Sequence, residues 1–252
     1  MTISIVNGNR GTATEKTSDQ TLALTPSGDL ARGNFALLAV VIDNPATSEG
    51  ETAHLSVSDT KGLTWTKLRE QTEANTAALT GVTCALFLAM CDSAGLTTSD
   101  TISIALGTAA TAKGAGLAEL SAGVLKRIVL SAAGANGSNG AAATSYSVAL
   151  SGLTNVAGLY VGMAAGEEEV DTAVTLDAGY AGIGFGSIGS GVAGVATSNV
   201  RARVGTLANT SAGDTFDASG LTSSDRATIL VRLEEADILV PPTRLMAPYV
   251  PA

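Results

Sequence analysis

Few side chains in this sequence are equipped for chemistry. His54 is the only histidine, so a multi-histidine metal site is excluded and a Ser-His-Asp triad would rest on one residue. His54 alternates in step with Ser56 and Ser58 on one face of a short stretch, where a solvated imidazole is expected. No serine sits in a Gly-x-Ser-x-Gly elbow. Gly184-Phe185-Gly186-Ser187-Ile188-Gly189 has the spacing of a dinucleotide loop, but that loop needs a helix after it to aim amides at a pyrophosphate. Ser190-Gly191-Val192-Ala193-Gly194 follows instead, which predicts a flexible loop or a strand with close backbone approach. Glu167-Glu168-Glu169-Val170-Asp171 offers oxygen ligands for calcium without the spacing of an EF-hand loop, and a solvated loop is expected. Glu119 and Glu234 each close a strand; a glycosidase needs two carboxylates flanking a cleft, and nothing pairs these two. Trp65 in Leu63-Thr64-Trp65-Thr66-Lys67 could stack on a sugar, but the pattern favours packing. No catalytic residue, metal or cofactor is expected.

Composition narrows the classes further. Of 252 residues 45% are apolar, enough for real cores, while aromatics are 4% and charged residues 15%. Small polar residues fill the gap and suit short strands and tight turns. The net charge is −9, without a basic cluster; this argues against nucleic acid and against anionic membrane surfaces as partners. Met1-Thr2-Ile3-Ser4-Ile5 shows no basic stretch followed by an apolar one, and no apolar run is long enough for a membrane helix, so synthesis and folding in the cytoplasm are expected.

The elements that must position these residues read as strands. Gly33-Asn34-Phe35-Ala36-Leu37-Leu38-Ala39-Val40-Val41-Ile42-Asp43 is the longest apolar run. Turn residues bound it on both sides, which predicts a strand buried on both faces at the centre of a sheet under a second layer. Val82 to Cys91 reads the same way and holds both cysteines. Seven residues apart on one strand, Cys84 and Cys91 are ~23 Å apart on opposite faces, beyond disulfide reach, so free buried thiols are expected. Thr21–Pro26, Leu55–Ser58, Leu63–Leu68, Thr101–Leu106, Tyr146–Leu150, Gly158–Ala164, Val195–Val204 and Ala227–Leu233 supply further strands. Strands at this spacing with turns between them predict an all-β antiparallel β-sandwich or barrel.

Two related halves are expected. Asp92 to Asp100 matches Asp217 to Asp225 at six of nine positions, and Gly33 and Gly158, which open the two apolar runs, share the offset of 125 (225 − 100 and 158 − 33). The organisation read from this is 1–19 as an amino-terminal arm or edge strand, 20–125 and 126–236 as sandwich halves, and 237–252 as a carboxy-terminal arm. The last segment holds Pro241, Pro242, Pro248 and Pro251, four of the six prolines, which favour extended chain. Among them Leu239, Val240, Leu245, Met246 and Tyr249 would supply apolar contacts to another subunit, and Arg244 a charged one.

Several of these stretches together resemble a known group. They are the Gly-Asn start of the long Leu/Ala/Val strand, the Val-Ser-Asp-x-x-Gly-x-Thr-Trp-Thr hairpin from Val57 to Thr66, the Asp-Thr-Ile-Ser-Ile strand from Asp100, and Ala-Glu-Leu-Ser-Ala-Gly from Ala118 to Gly123. The pattern, over roughly residues 20–235, resembles β-sandwich structural proteins of tailed-bacteriophage virions, jelly-roll or lectin-like in shape. The resemblance implies a non-enzymatic virion component, either capsid decoration or head fibre, with other virion proteins and copies of itself as partners. The alternative it leaves is a tail fibre or receptor-binding module that holds a host glycan. Its motifs belong to the fold, so no site residues carry over.

Overall fold

A computed structural model describes residues 3–43, 54–74, 81–92, 95–138, 145–167, 173–190, 199–220 and 225–238. These residues form sixteen strands and no helix. The first eight are β1 (Ser4–Glu15), β2 (Asp19–Leu24), β3 (Phe35–Asp43), β4 (Leu55–Asp59), β5 (Trp65–Ala74), β6 (Gly81–Met90), β7 (Ile102–Ala110) and β8 (Lys113–Ser121). The second eight are β9 (Lys126–Ser138), β10 (Ser145–Leu150), β11 (Gly158–Gly166), β12 (Thr175–Leu176), β13 (Ala181–Ser190), β14 (Val200–Asn209), β15 (Asp214–Ser219) and β16 (Arg226–Asp237).

Every ladder is antiparallel. In the first eight strands a five-stranded sheet runs β1-β8-β3-β6-β5 and a three-stranded sheet β2-β7-β4. In the second eight the orders are β9-β16-β11-β14-β13 and β10-β15-β12. Adding eight to each strand of the first set gives the second, so the chain is two sandwiches of one topology. The order 1-8-3-6 beside 2-7-4 is that of a jelly roll, with the fifth strand joined to the larger sheet. β1 pairs with β8 along most of its length, so the polar, Gly-rich amino-terminal stretch is an edge strand, and the first sandwich takes it in.

The two five-stranded sheets pack face to face, and the smaller sheets lie outside them. The contacts between the large sheets come in equivalent pairs: β1 with β13 and β5 with β9, β8 with β13 and β16 with β5, β3 with β14 and β11 with β6. The halves are therefore related by a pseudo-two-fold axis, as in a symmetric dimer joined into one chain. Alternation along each strand assigns the faces. In β3, Phe35, Leu37, Ala39 and Val41 enter the core between the halves, while Ala36, Leu38, Val40 and Ile42 enter the core of their own sandwich. In β11, Leu159, Val161, Met163 and Ala165 face the central core, and Tyr160 and Ala164 face the outer one. This double cover is why these two runs are apolar throughout.

One expectation fails. Gly95 follows β6, before β7, whereas Gly220 follows β15, before β16, which corresponds to the connection from β7 to β8. An added Cβ at Gly95 would strike the carbonyl of Leu30, and one at Gly220 that of Ala173, again at unrelated places. The repeated Asp-to-Asp stretch is thus a coincidence of turn composition, and the relation between the halves resides in strand order. The register of β3 and β11 against their neighbours gives offsets of 124 there and 113 on β8 and β16, so no single offset applies.

Candidate functional site

The chemistry-bearing residues are distributed as follows. Gly184 to Gly189 lies within β13, at a register shift between Gly182 and Ser187. A Cβ on Gly184 would lie 3.0 Å from the carbonyl carbon of Gly8 on β1, and the Phe185 ring rests on Gly116 of β8. Gly186 adopts φ +72°. The glycine spacing therefore serves close backbone approach between the halves, the strand alternative of the two expected. His54 is half-buried rather than fully solvated: its backbone N–H donates to Glu70 at 2.8 Å, and its Nε2 is buried without a partner among the described residues. Trp65 is half-buried and donates through Nε1 to Asp59 at 2.6 Å. The Asp59 carboxylate also accepts from the N–H groups of Lys61 at 2.7 Å and Leu63 at 3.2 Å, and Gly62 turns at φ +72°. The expected hairpin is instead a turn between sheets, since β4 pairs with β7 and β5 with β6, and the Asp-x-x-Gly-x-x-Trp spacing clamps that turn.

Glu119 and Glu234 lie in separate halves. Glu119 is fully buried; it accepts from Ala31 N–H at 2.8 Å and Asn34 Nδ2 at 2.7 Å and pairs with Arg10. Burial alone would raise its pKa, but these donors hold it below the ordinary value. The equivalent position on β16 is Arg232, also fully buried. It donates to the carbonyls of Thr154 at 2.9 Å and Val156 at 2.5 Å, and Glu234 lies 3.3 Å away. One half locks the loop before its central strand with a carboxylate that accepts from amides, the other with a guanidinium that donates to carbonyls. Lys113 and Arg226 form a second equivalent pair of buried cations. Lys113 Nζ donates to Thr17 O at 2.8 Å and pairs with Asp19; Arg226 lies 5.3 Å from the Tyr146 ring. Sequence reading missed these cations, because a lysine or arginine opening a strand reads as an edge.

The two ends of the central interface differ in kind. At one end, β3 finishes with Asp43 and Glu167 directly follows β11, and their N–H groups donate to the equivalent carbonyls of Ala112 (2.8 Å) and Asp225 (3.1 Å). Glu167 is not in open solvent as expected: it is nearly buried and accepts from Gly81 N–H across the interface at 3.2 Å. Asp43 is fully buried, and neither oxygen has a partner among the described residues. Burial and the Glu167 charge push its pKa up to about 7, against the pull of Lys16. Lys16 pairs with Asn199, and Ser190 donates to Glu15 O, so polar side chains stitch this end shut. Glu168, Glu169, Val170 and Asp171 lie outside the described residues.

The other end carries apolar side chains in the open. Ile5 and Val6 begin β1 opposite the close of β8, and are 38% and 49% exposed. Val124 and Leu125, in the link between the halves, are 90% and 63% exposed, and Leu125 holds φ +58°. Ile238 follows β16 and donates to Leu125 O at 2.9 Å; Val156 precedes β11, and Leu130 sits near the start of β9 opposite Leu233. Among the described residues these are all the exposed large apolar side chains, and they share one end of the molecule. The chain leaves this end at Ile238, so the predicted arm residues Leu239, Val240, Arg244, Leu245, Met246 and Tyr249 continue from it but lie outside the described residues.

Elsewhere, a concavity of about 380 Å³ beside β12 is lined by residues 175–178 and 217–219, including Asp177 and Asp217 and no aromatic ring. Among the described residues no three His, Cys, Asp or Glu side chains converge to hold a metal. Comparison with protein-family models, curated proteins and solved structures finds no match.

Proposed function

We propose that the chain is a non-enzymatic structural protein of a bacteriophage virion, a capsid decoration or head-fibre component that works by assembling with other proteins. The observation that carries this reading is the separation of polar and apolar groups. The buried ions lock loops and strand ends inside the two sandwiches, and the exposed large apolar residues gather where residues 239–252 depart. An end of this kind is the mark of a protein-binding surface. The fused double sandwich adds a rigid body with its interaction chemistry on one side. The test is incorporation into particles: virions made with the full chain should contain it by mass spectrometry, and those made with a chain truncated after Ile238 should not. Equal incorporation of both would remove the arm from the reading, and absence of the full chain from purified particles would overturn it.

A further inference from the structure

Taking the chain as an assembling structural protein, we infer that its apolar end is the seat for residues 239–252 of a second copy. The close of β16 fixes where the tail leaves. In the first half the chain leaves β8 at Ser121 and crosses to the start of β9 through residues 122–125. By the offset of 113 the equivalent departure in the second half is at Glu234, but β16 runs on to Asp237 against Lys126 of β9 and Ile238 donates to Leu125 O, so the tail leaves this end beside the link. Val124 and Leu125 of the link are exposed there, and Ile5 and Val6 are exposed at the start of β1 on the same end. The link makes its crossing in four residues, 122–125, whereas residues 239–252 extend to about 43 Å in the form prolines favour. That is several times the length needed to cross one molecule's own end, so most of the segment reaches past it. Its apolar residues and prolines match an end whose own exposed residues are apolar. A stiff segment also loses less conformational freedom on docking. Each copy both offers a tail and presents a seat, so the contact is reciprocal.

The test uses three proteins: the full chain, the chain truncated after Ile238, and the chain with Val124→Ser and Leu125→Asn. The replaced side chains are exposed, and Asn tolerates the positive φ at 125, so the fold is not at risk. Light scattering across a concentration series should show self-association of the full chain and monomers for the other two. A labelled peptide of residues 239–252 should bind the truncated chain and lose about tenfold or more in affinity when the two substitutions are added to it. Self-association of the truncated chain, or equal peptide binding with and without the substitutions, overturns the inference. So does a monomeric full chain whose truncated form binds the peptide, since the tail would then sit on its own molecule. Particle incorporation is scored separately: a monomeric full chain that still enters particles removes this inference and leaves the virion reading standing, whereas self-association without incorporation does the reverse.

Discussion

Asp43 at the end of β3 and Glu167 just after β11 are two buried carboxyl groups that act on each other, which ties folding to pH. Burial, with Glu167 second, raises the Asp43 pKa from 3.8 to about 7 in the folded chain. Between those values the native state binds more protons than the unfolded chain, so this group's contribution to stability falls as pH rises from about 4 to about 7. Asp43→Asn mimics the protonated form and should remove that slope, leaving the variant more stable than the parent by about 4 kcal/mol at pH 8 and by less at pH 5. Urea unfolding at the two pH values measures it, and an unchanged slope would show that Asp43 ionises freely. The thiols behave differently. Cys84 and Cys91 are free and buried, and burial raises both pKa values, so a thiol reagent should label neither at an appreciable rate until the chain unfolds. At the Gly8–Gly184 contact, backbone meets backbone. Gly8→Ala should cost about 1–3 kcal/mol of stability, whereas Gly186→Ala, with open space around it at φ +72°, should cost only about 1–2 kcal/mol of conformational strain.

The turn by which the chain passes from β4 in the smaller sheet to β5 in the larger is the element whose sequence and geometry correspond most closely. One carboxylate, Asp59, receives Lys61 N–H, Leu63 N–H and Trp65 Nε1. Asp59→Ala should therefore cost about 2–3 kcal/mol and shift the emission of Trp65, the only tryptophan, toward that of a water-exposed indole. Unchanged emission would show that packing alone orients the ring. The turn was legible because turn chemistry is local; that its two strands part into different sheets was not, because their partners β7 and β6 are distant in sequence. β3, β6 and β11 were legible because burial on both faces leaves an unbroken apolar run. β1 and β13 were harder. β1 is an edge strand rich in polar residues and β13 is built on glycine, and their pairing depends on residues far away, Gly8 meeting Gly184 and Phe185 meeting Gly116. The buried ions were illegible for the same reason. Nothing near Lys113 or Arg232 in sequence shows that a loop carbonyl lies over the side chain. Exposure of Val124 and Leu125 could have been suspected, since they stand alone between Gly123 and the basic pair Lys126-Arg127.

At the scale of the molecule, fusion of two like sandwiches places the start of β1, the link between the halves and the close of β16 at one end. The chain should accept rearrangement of its order. Joining Ile3 to Ile238 through four small polar residues, and opening the chain within residues 122–125, should yield a permuted protein that folds cooperatively with stability within about 2 kcal/mol of the parent. Failure of the permutant to fold would show that the link itself directs the pairing of the halves. The same arrangement sets how the molecule bears load. Tension applied through the tail enters β16, which lies between β9 and β11, paired with β9 from Arg226 to Asp237 and with β11 from Arg226 to Glu234, so two ladders resist in shear along most of it. Tension applied through the amino terminus enters β1, an edge strand with one ladder interrupted between Ile5 and Gly11. Pulled by its carboxy terminus, the protein is held by a strand with a ladder on each side; pulled by its amino terminus, it is held by a strand with one.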